Sequence, residues 1–256
     1  MRSLLYIPAH NERFVAKARE RGADAIILDL EDGVPPEHKD AARNALAAAV
    51  RSVGLGGAKV LVRVNTDARQ AGDIAAVMAA GAFGFVVPKA HDPQALDAFE
   101  LPIYALIETP GAVLDARAVA RHPRVMALGI GSEDLTAVLG ATPTQDVLRF
   151  PSLMVHYAAK AEGRLSFGLM QSIADFADVE ALRRAALVAR SHGFDGASCV
   201  HPSAVPVLNE AFAPSAEEIA WARRVLAADD GRGVFVVDGK MVDAPVVARA
   251  RRVLGE

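Results

Sequence analysis

The chain has 256 residues, 52% of them hydrophobic, enough to bury one sizeable core as a single large α/β domain or two small ones. A formal charge of −3 without a basic block argues against nucleic acid or an anionic membrane as partner. One cysteine, Cys199, excludes an internal disulfide, and no segment reaches the roughly 20 apolar residues of a membrane helix, so a soluble cytoplasmic protein is expected.

In chain order, one unit recurs: a short apolar or β-branched run, a polar end, then an Ala-rich stretch with helical spacing. The runs are SLLYIP at 3–8, AIILD at 25–29, KVLVRVN at 59–65, GFVVPK at 84–89, IYALIE at 103–108, VMALGIGS at 125–132, RLSFGLMQ at 164–171 and GASCVH at 196–201. Apolar strands without in/out alternation suit a parallel sheet covered on both faces. Helical patterns such as RFVAKARERGA, GDIAAVMAAGA and ALRRAALVARSHGF lie between them. Eight β/α repeats in about 200 residues predict an α/β fold of the (β/α)8 TIM-barrel type rather than an open doubly wound sheet. No GxGxxG or Walker pattern follows any run, which leaves dinucleotide and P-loop readings unsupported. The chain then continues with a helical pattern at 215–228, a hairpin turning at Asp238-Gly239 and a last helix at 244–254. The expectation is one domain over 1–256, with the barrel at about 1–212 and a C-terminal helical and hairpin extension at about 213–256 covering an edge or a neighbouring subunit.

Barrel enzymes build their sites at the C-terminal ends of the strands. The residues there are Asp29, Glu31 and Asp32 after the second run, Arg63 and Asn65 on the third, Lys89 after the fourth and Glu108 after the fifth. Ser132, Glu133 and Asp134 follow the sixth, and His201 the eighth. Three carboxylates crowded behind AIILD therefore face Arg63 and Lys89 across the barrel mouth. Each of Asp29, Glu31 and Asp32 has a rival reading as a helix N-terminal acid or loop salt bridge. Arg63 inside a strand is costly unless paired. Lys89 is read as an ion-pair partner of the acids, against a Schiff-base lysine. Glu133 is expected to face solvent or a neighbouring loop, and His201 to hold its loop or touch a ligand. The other histidines, His10 and His38 included, follow no metal-ligand spacing. Cys199 reads as a small buried core residue.

The segments RSLLYIPAHNERFVAKARERGADAIILDLEDGV, VRVN, VVPKA, ALIETPGAV, GSEDLTAVLG and GFDGASCVHPSAVPVLNEAF resemble the HpcH/HpaI aldolase family, in its branch of citrate lyase beta-subunit-like proteins and malyl-CoA or citramalyl-CoA lyases. The resemblance spans nearly the whole chain. It implies a Mg²⁺-dependent carbon–carbon lyase on a TIM barrel, a homo-oligomer such as a trimer or hexamer, acting on a short hydroxyacyl-CoA or on a 2-oxo or hydroxy acid. By the matching motifs, Glu108 of IET and Asp134 of GSED are the implied Mg²⁺ ligands, and Arg63 of RVN binds substrate oxygens. Pro8 and Ala9 join Arg63, Glu108 and Asp134 as the implied substrate-binding set, and Glu31, Asp32 and Lys89 join Arg63 as the catalytic one. The residue types agree with that chemistry. Mg²⁺ takes hard oxygen ligands and keeps several waters, so one or two carboxylates plus a chelating substrate make a sufficient shell, while a forked guanidinium suits two substrate oxygens.

Two departures stand out. Many relatives carry an Asp on strand seven for proton transfer, whereas this chain has Phe167 or Met170 at that place and its first acid at Asp175. The first strand ends Pro8-Ala9-His10 where the family usually has VPG, which adds a Cβ and an imidazole to the loop over the mouth. Besides the lyase, two further readings stay open: a thioesterase, synthase or CoA-independent aldolase at the same site, and a non-catalytic subunit that binds metal and acid.

Overall fold

The computed structural model describes all residues except 175 and 232. It consists of two compact units, Met1–Phe212 and Ala213–Glu256. In the first, β1 (Ser3–Pro8), α1 (Glu12–Ala18), β2 (Ala25–Asp29), α2 (Lys39–Gly54), β3 (Lys59–Arg63), α3 (Gln70–Ala80) and β4 (Gly84–Val87) follow in turn. They are succeeded by β5 (Ile103–Ile107), α4 (Pro110–Arg121), β6 (Val125–Ile130), α5 (Ser132–Leu139), α6 (Gln145–Ala161), β7 (Leu165–Phe167), α7 (Val179–Ser191), β8 (Ala197–Cys199) and α8 (Ala204–Ala211).

The strands are ordered β7-β6-β5-β4-β3-β2-β1-β8, and every pairing is parallel. Closure falls between β7 and β8. There Phe167 bridges Gly196, the Gly168 N–H donates to the Gly196 carbonyl at 3.0 Å and the Asp195 N–H to the Ser166 carbonyl at 2.9 Å. The result is a nearly closed (β/α)8 barrel, as the eight apolar runs predict.

The uninterrupted apolarity of the strands has a direct cause, because alternate side chains serve two cores. Ala25, Ile27, Leu61, Val86, Tyr104, Ala127 and Phe167 fill the barrel interior, while Ile26, Leu28, Val60, Val62, Phe85 and Ile103 pack outward beneath the helices. Both faces of β2, β4 and β5 are buried throughout. Cys199 is buried and lies in the outer core, as expected of a small apolar residue.

Two repeats depart from the regular unit. After β4 the connection is a 3₁₀ turn at Gln94–Ala98 in place of an α-helix, and β6 and β7 are joined by two helices. The Pro pair after β2 feeds a 3₁₀ turn at Pro36–His38 before α2, since proline supplies a helix-ready φ and no N–H.

In the second unit, α9 (Ala216–Ala228) starts from a capping box between Ser215 and Glu218. The hairpin of β9 (Phe235–Val237) and β10 (Lys240–Val242) turns through Asp238 and Gly239, at φ 52° and 72°. Two consecutive positive φ values are what a type I′ turn demands of an Asp-Gly pair. α10 (Ala244–Leu254) completes a small core of Ala222, Val225, Val237, Val242 and Ala250, with the Arg249 guanidinium 4.4 Å above the Trp221 ring. Among the described residues no helix is long and apolar enough to cross a membrane.

Candidate active site

Asp29 and Arg63 end neighbouring strands and are partners in the β2/β3 register, so their side chains meet at the barrel mouth. Arg63 grips Asp29 with both tines of its fork, Nε to Oδ1 and Nη2 to Oδ2, each at 2.7 Å. The same two oxygens accept the Glu31 and Gly33 N–H groups at 2.9 Å. Gly33 is required here, because a Cβ at that position would overlap Asp29 Oδ2. Burial works against the Arg63 charge, yet Asp29 and Glu31 hold its guanidinium above the ordinary arginine range. Arg63 Nη1 lies 3.0 Å from Glu31 Oε2, and the guanidinium sits 5.1 Å above the Tyr6 ring. Of five N–H donors, two are spent on Asp29 and a third faces Glu31, which leaves two for a ligand.

Glu31 is buried, with Lys89 Nζ 3.5 Å from its Oε1. Its Oε2, although close to Arg63, has no aligned hydrogen bond. Burial, opposed by Arg63, pushes the Glu31 carboxyl up to about 7. Asp32 is the exposed member of the cluster, 3.7 Å from Arg63 and on the cavity wall. Lys89 sits at φ 53°, and from that left-handed backbone its N–H donates to Glu108 Oε2 at 2.8 Å. Partial burial disfavours the Lys89 charge, but Glu31, Asp32 and Asp134 raise its ammonium above the usual lysine range.

Glu108 is fixed between a strand and a helix start. β5 ends at Ile107, and Thr109 caps α4 by accepting the Ala112 N–H at 3.2 Å, with Pro110 in the first turn. Its carboxylate is buried and packs where Gly131 has no side chain; a Cβ there would overlap it. Burial and the nearby Asp134 charge push Glu108 up to about 7, against the Lys89 hydrogen bond. Asp134, in the first turn of α5, lines the same cavity. Two carboxylates on adjacent β/α units, one of which raises the proton affinity of the other, are a donor pair that a divalent cation would relieve. Among the described residues no three His, Cys, Asp or Glu side chains converge on a metal-sized site, and Mg²⁺ needs no more than two, since it keeps waters and takes substrate oxygens.

The cavity has a volume of about 400 Å³. Its rim carries Asp29, Asp32, Arg63, Glu108, Glu133 and Asp134, and its floor Tyr6, Tyr104, Leu106 and Phe167. Pro8 lines it. Ala9 does not; its methyl is buried in the outer core and its N–H is bound to the Asp29 carbonyl. Glu31 and Lys89 stand behind the wall, in the ion network. Glu133 Oε1 accepts from Ser172 Oγ at 2.6 Å, which ties α5 to the loop after β7 as the neighbouring-loop reading expects. His201 stacks on Phe176 at 4.6 Å and contacts Ser203 Oγ through Nδ1, and His10 stacks on His38. At the strand-seven position Phe167 is buried edge-on to Tyr104, and Met170 is buried at φ 57°. Asp175 lies outside the described residues.

Four side chains that shape the site escaped the sequence reading in whole or part: Asp29 as the holder of Arg63, Lys39 behind Glu31, and Tyr6 and Tyr104 in the floor. Asp29 had a findable signal, since two strands ending in Asp and Arg place them side by side.

Known proteins resemble this chain over nearly its whole length. The model of the HpcH/HpaI aldolase/citrate lyase family matches residues 2–202. A citrate lyase subunit beta-like protein of Mycobacterium tuberculosis is 40% identical, over 98% of this chain and 93% of that one. A (3S)-malyl-CoA thioesterase of Cereibacter sphaeroides is 36% identical, over 100% and 94%. The crystal structure of CitE from M. tuberculosis in complex with magnesium, acetoacetate and coenzyme A superposes with a TM-score of 0.84 at 36% identity, covering 100% of this chain and 98% of that one. With the motifs, the barrel and these relatives in agreement, the chain belongs to the HpcH/HpaI aldolase/citrate lyase family.

Proposed function

We propose that the chain is a Mg²⁺-dependent carbon–carbon lyase that cleaves a short hydroxyacyl-CoA, such as malyl-CoA or citramalyl-CoA, to acetyl-CoA and a 2-oxo acid. The observation that carries this reading is the convergence of Glu108 and Asp134 on one cavity wall, with Arg63 on the same rim. Glu108 and Asp134 hold the cation, and the Arg63 N–H groups left free by Asp29 bind the carboxylate of the acid. Bound there, Mg²⁺ supplies Lewis-acid polarisation of the 2-oxygen. Asp29 and Glu31 fix the guanidinium before substrate arrives, so no reorganisation is needed as charge develops. Lys89 neutralises Glu31 and orients Glu108 through its main chain. Asp32, exposed beside Arg63, takes the hydroxyl proton as the carbon–carbon bond breaks and returns it to the thioester enolate carbon. It thereby stands in for the acid whose place on strand seven is taken by Phe167 or Met170. A homo-oligomer is part of this reading, as the family resemblance implies, and so is a cytoplasmic location, which the single cysteine fits.

A second reading is hydrolysis of the thioester to the free hydroxy acid and CoA. It is favoured by the thioesterase named among the relatives and by the apolar strand-seven position. Incubating malyl-CoA and citramalyl-CoA with and without Mg²⁺ separates the two. Release of acetyl-CoA with glyoxylate or pyruvate supports the lyase, and release of free CoA with malate or citramalate supports the thioesterase. Glu108→Ala and Asp134→Ala are each expected to lower the Mg²⁺-dependent rate about 100-fold or more. Unimpaired turnover in either variant, or in EDTA, overturns the assignment.

A further inference from the structure

Most TIM barrels fill their interior with packed layers of large side chains. Here the packed interior begins at Tyr104 and Phe167, both almost fully buried, and the cavity ends on this aromatic floor below the rim charges. Tyr104 on β5 precedes Glu108 by four residues and shares its face, which sets its Cα roughly 13 Å back along the tilted strand. Residues on the neighbouring strand β6 and on β8 set how this floor packs. Gly129 on β6 makes room for the Tyr104 ring, whose hydroxyl a Cβ there would overlap, and Ser198 stands on β8. Tyr104 Oη and Ser198 Oγ lie 3.3 Å apart and answer one another, so this pair asks nothing of a ligand. Phe167 meets Tyr104 edge-to-face at 5.3 Å, and Tyr6 lies beneath Arg63. Rim and floor together enclose about 400 Å³, at the lower end of the roughly 300–1,000 Å³ of small-molecule sites and more than a three-carbon acid fills.

The inference rests on the functional reading above, in which the rim takes the carboxylate and the 2-oxygen. The remaining substituent of the 2-oxo acid then has an apolar chamber beneath it, while the thioester enters from the mouth. We propose that the chamber floored by Tyr6, Tyr104 and Phe167 is a subsite for an alkyl substituent of two or more carbons. The chain therefore prefers a longer 2-oxo acid, or the hydroxyacyl thioester derived from it, over glyoxylate or pyruvate.

Binding calorimetry on the full chain with Mg²⁺ tests this with glyoxylate, pyruvate, 2-oxobutanoate and 2-oxopentanoate. Each added methylene is expected to tighten binding about fourfold, which corresponds to ~0.8 kcal/mol per buried CH₂. In Ser198→Val, whose added methyl enters the chamber, the ratio of 2-oxopentanoate to pyruvate affinity should fall toward one. A ratio within a variant does not depend on how much of it folds. Equal affinity along the series in the wild type, or a ratio unchanged by Ser198→Val, overturns the subsite while leaving the metal-and-acid site standing. Failure of all four acids to bind, with or without Mg²⁺, overturns the functional reading and the subsite with it.

Discussion

Arg63 shows why a charge inside a strand is tolerated: every oxygen of its partner is used twice, once by the fork and once by a main-chain N–H. Lysine cannot reproduce that fork. Arg63→Lys leaves buried Asp29 with at most one of its two charged hydrogen bonds, a loss of up to about 3 kcal/mol on the scale of a broken buried pair. Both a lowered midpoint in denaturant and a fall in kcat/KM of about 100-fold or more are expected; wild-type stability with wild-type turnover would show that the fork is dispensable. Gly131 makes a sharper test of the metal pair, because it touches Glu108 and carries no chemistry of its own. Gly131→Ala drives a methyl into the Glu108 carboxylate. Apparent Mg²⁺ affinity, measured by the concentration that restores activity to EDTA-treated protein, should weaken about 10- to 100-fold, the scale on which displaced supporting contacts affect metal sites. An unchanged Mg²⁺ requirement would place the cation elsewhere.

At the scale of elements, the loop between β2 and α2 is shaped by a residue on the helix. Lys39, at the start of α2, donates to the Leu30 and Glu31 carbonyls at 3.1 and 2.8 Å and to Asn65 Oδ1 at 2.6 Å. Asn65 in turn gives two N–H bonds to buried Asp73 on α3, which Arg43 approaches at 3.4 Å. This chain of contacts pins the main chain that carries Glu31 and Asp32. Lys39→Met keeps the aliphatic stem and strands three acceptors, each costing about 1–3 kcal/mol if left dry. Amide exchange at residues 30–34 should accelerate and kcat should fall more than KM rises; unchanged exchange there would refute the role. The strand positions were legible because parallel barrel strands are apolar on both faces; the starts of the runs match within a residue, while β7 and β8 stop four and two residues short of the ends of theirs. Glu108 and Asp134 were legible because strand ends and motif coincide. Lys39 was not, since its partners lie across a turn and on a neighbouring strand, and no spacing along the chain reports that meeting. Nor was the 3₁₀ turn after β4: HDPQALDAFE offers few apolar positions for a helix to bury, yet the repeat led one to expect a helix.

For the molecule as a whole, the rim stores protons that a cation would displace. Burial raises both Glu31 and Glu108 from 4.5 to about 7. A carboxyl whose folded value exceeds its unfolded one binds its proton more tightly when folded, so its stabilising effect is complete below about pH 4.5 and is lost as pH rises through 7. Asp24, which hydrogen bonds from Arg2 hold low despite its burial, acts in the more acidic range and in the opposite direction. His156, lowered chiefly by burial, also opposes the trend, so the wild-type slope is best read against Glu31→Gln, which removes one raised acid and should flatten it between pH 5 and 7. The same sign governs metal binding. On the proposed reading Mg²⁺ takes the Glu108 carboxylate, and a carboxyl raised to about 7 is mostly protonated at pH 6 and ionised at pH 8.5. Calorimetric titration of metal-free protein with Mg²⁺ in two buffers of different ionisation enthalpy should therefore register release of up to about one proton at pH 6 and almost none at pH 8.5. Glu108→Gln should abolish the release along with most of the affinity. Binding heats at pH 6 that do not depend on the buffer would mean that the cation does not displace the Glu108 proton, and would move its site away from the convergence of Glu108 and Asp134.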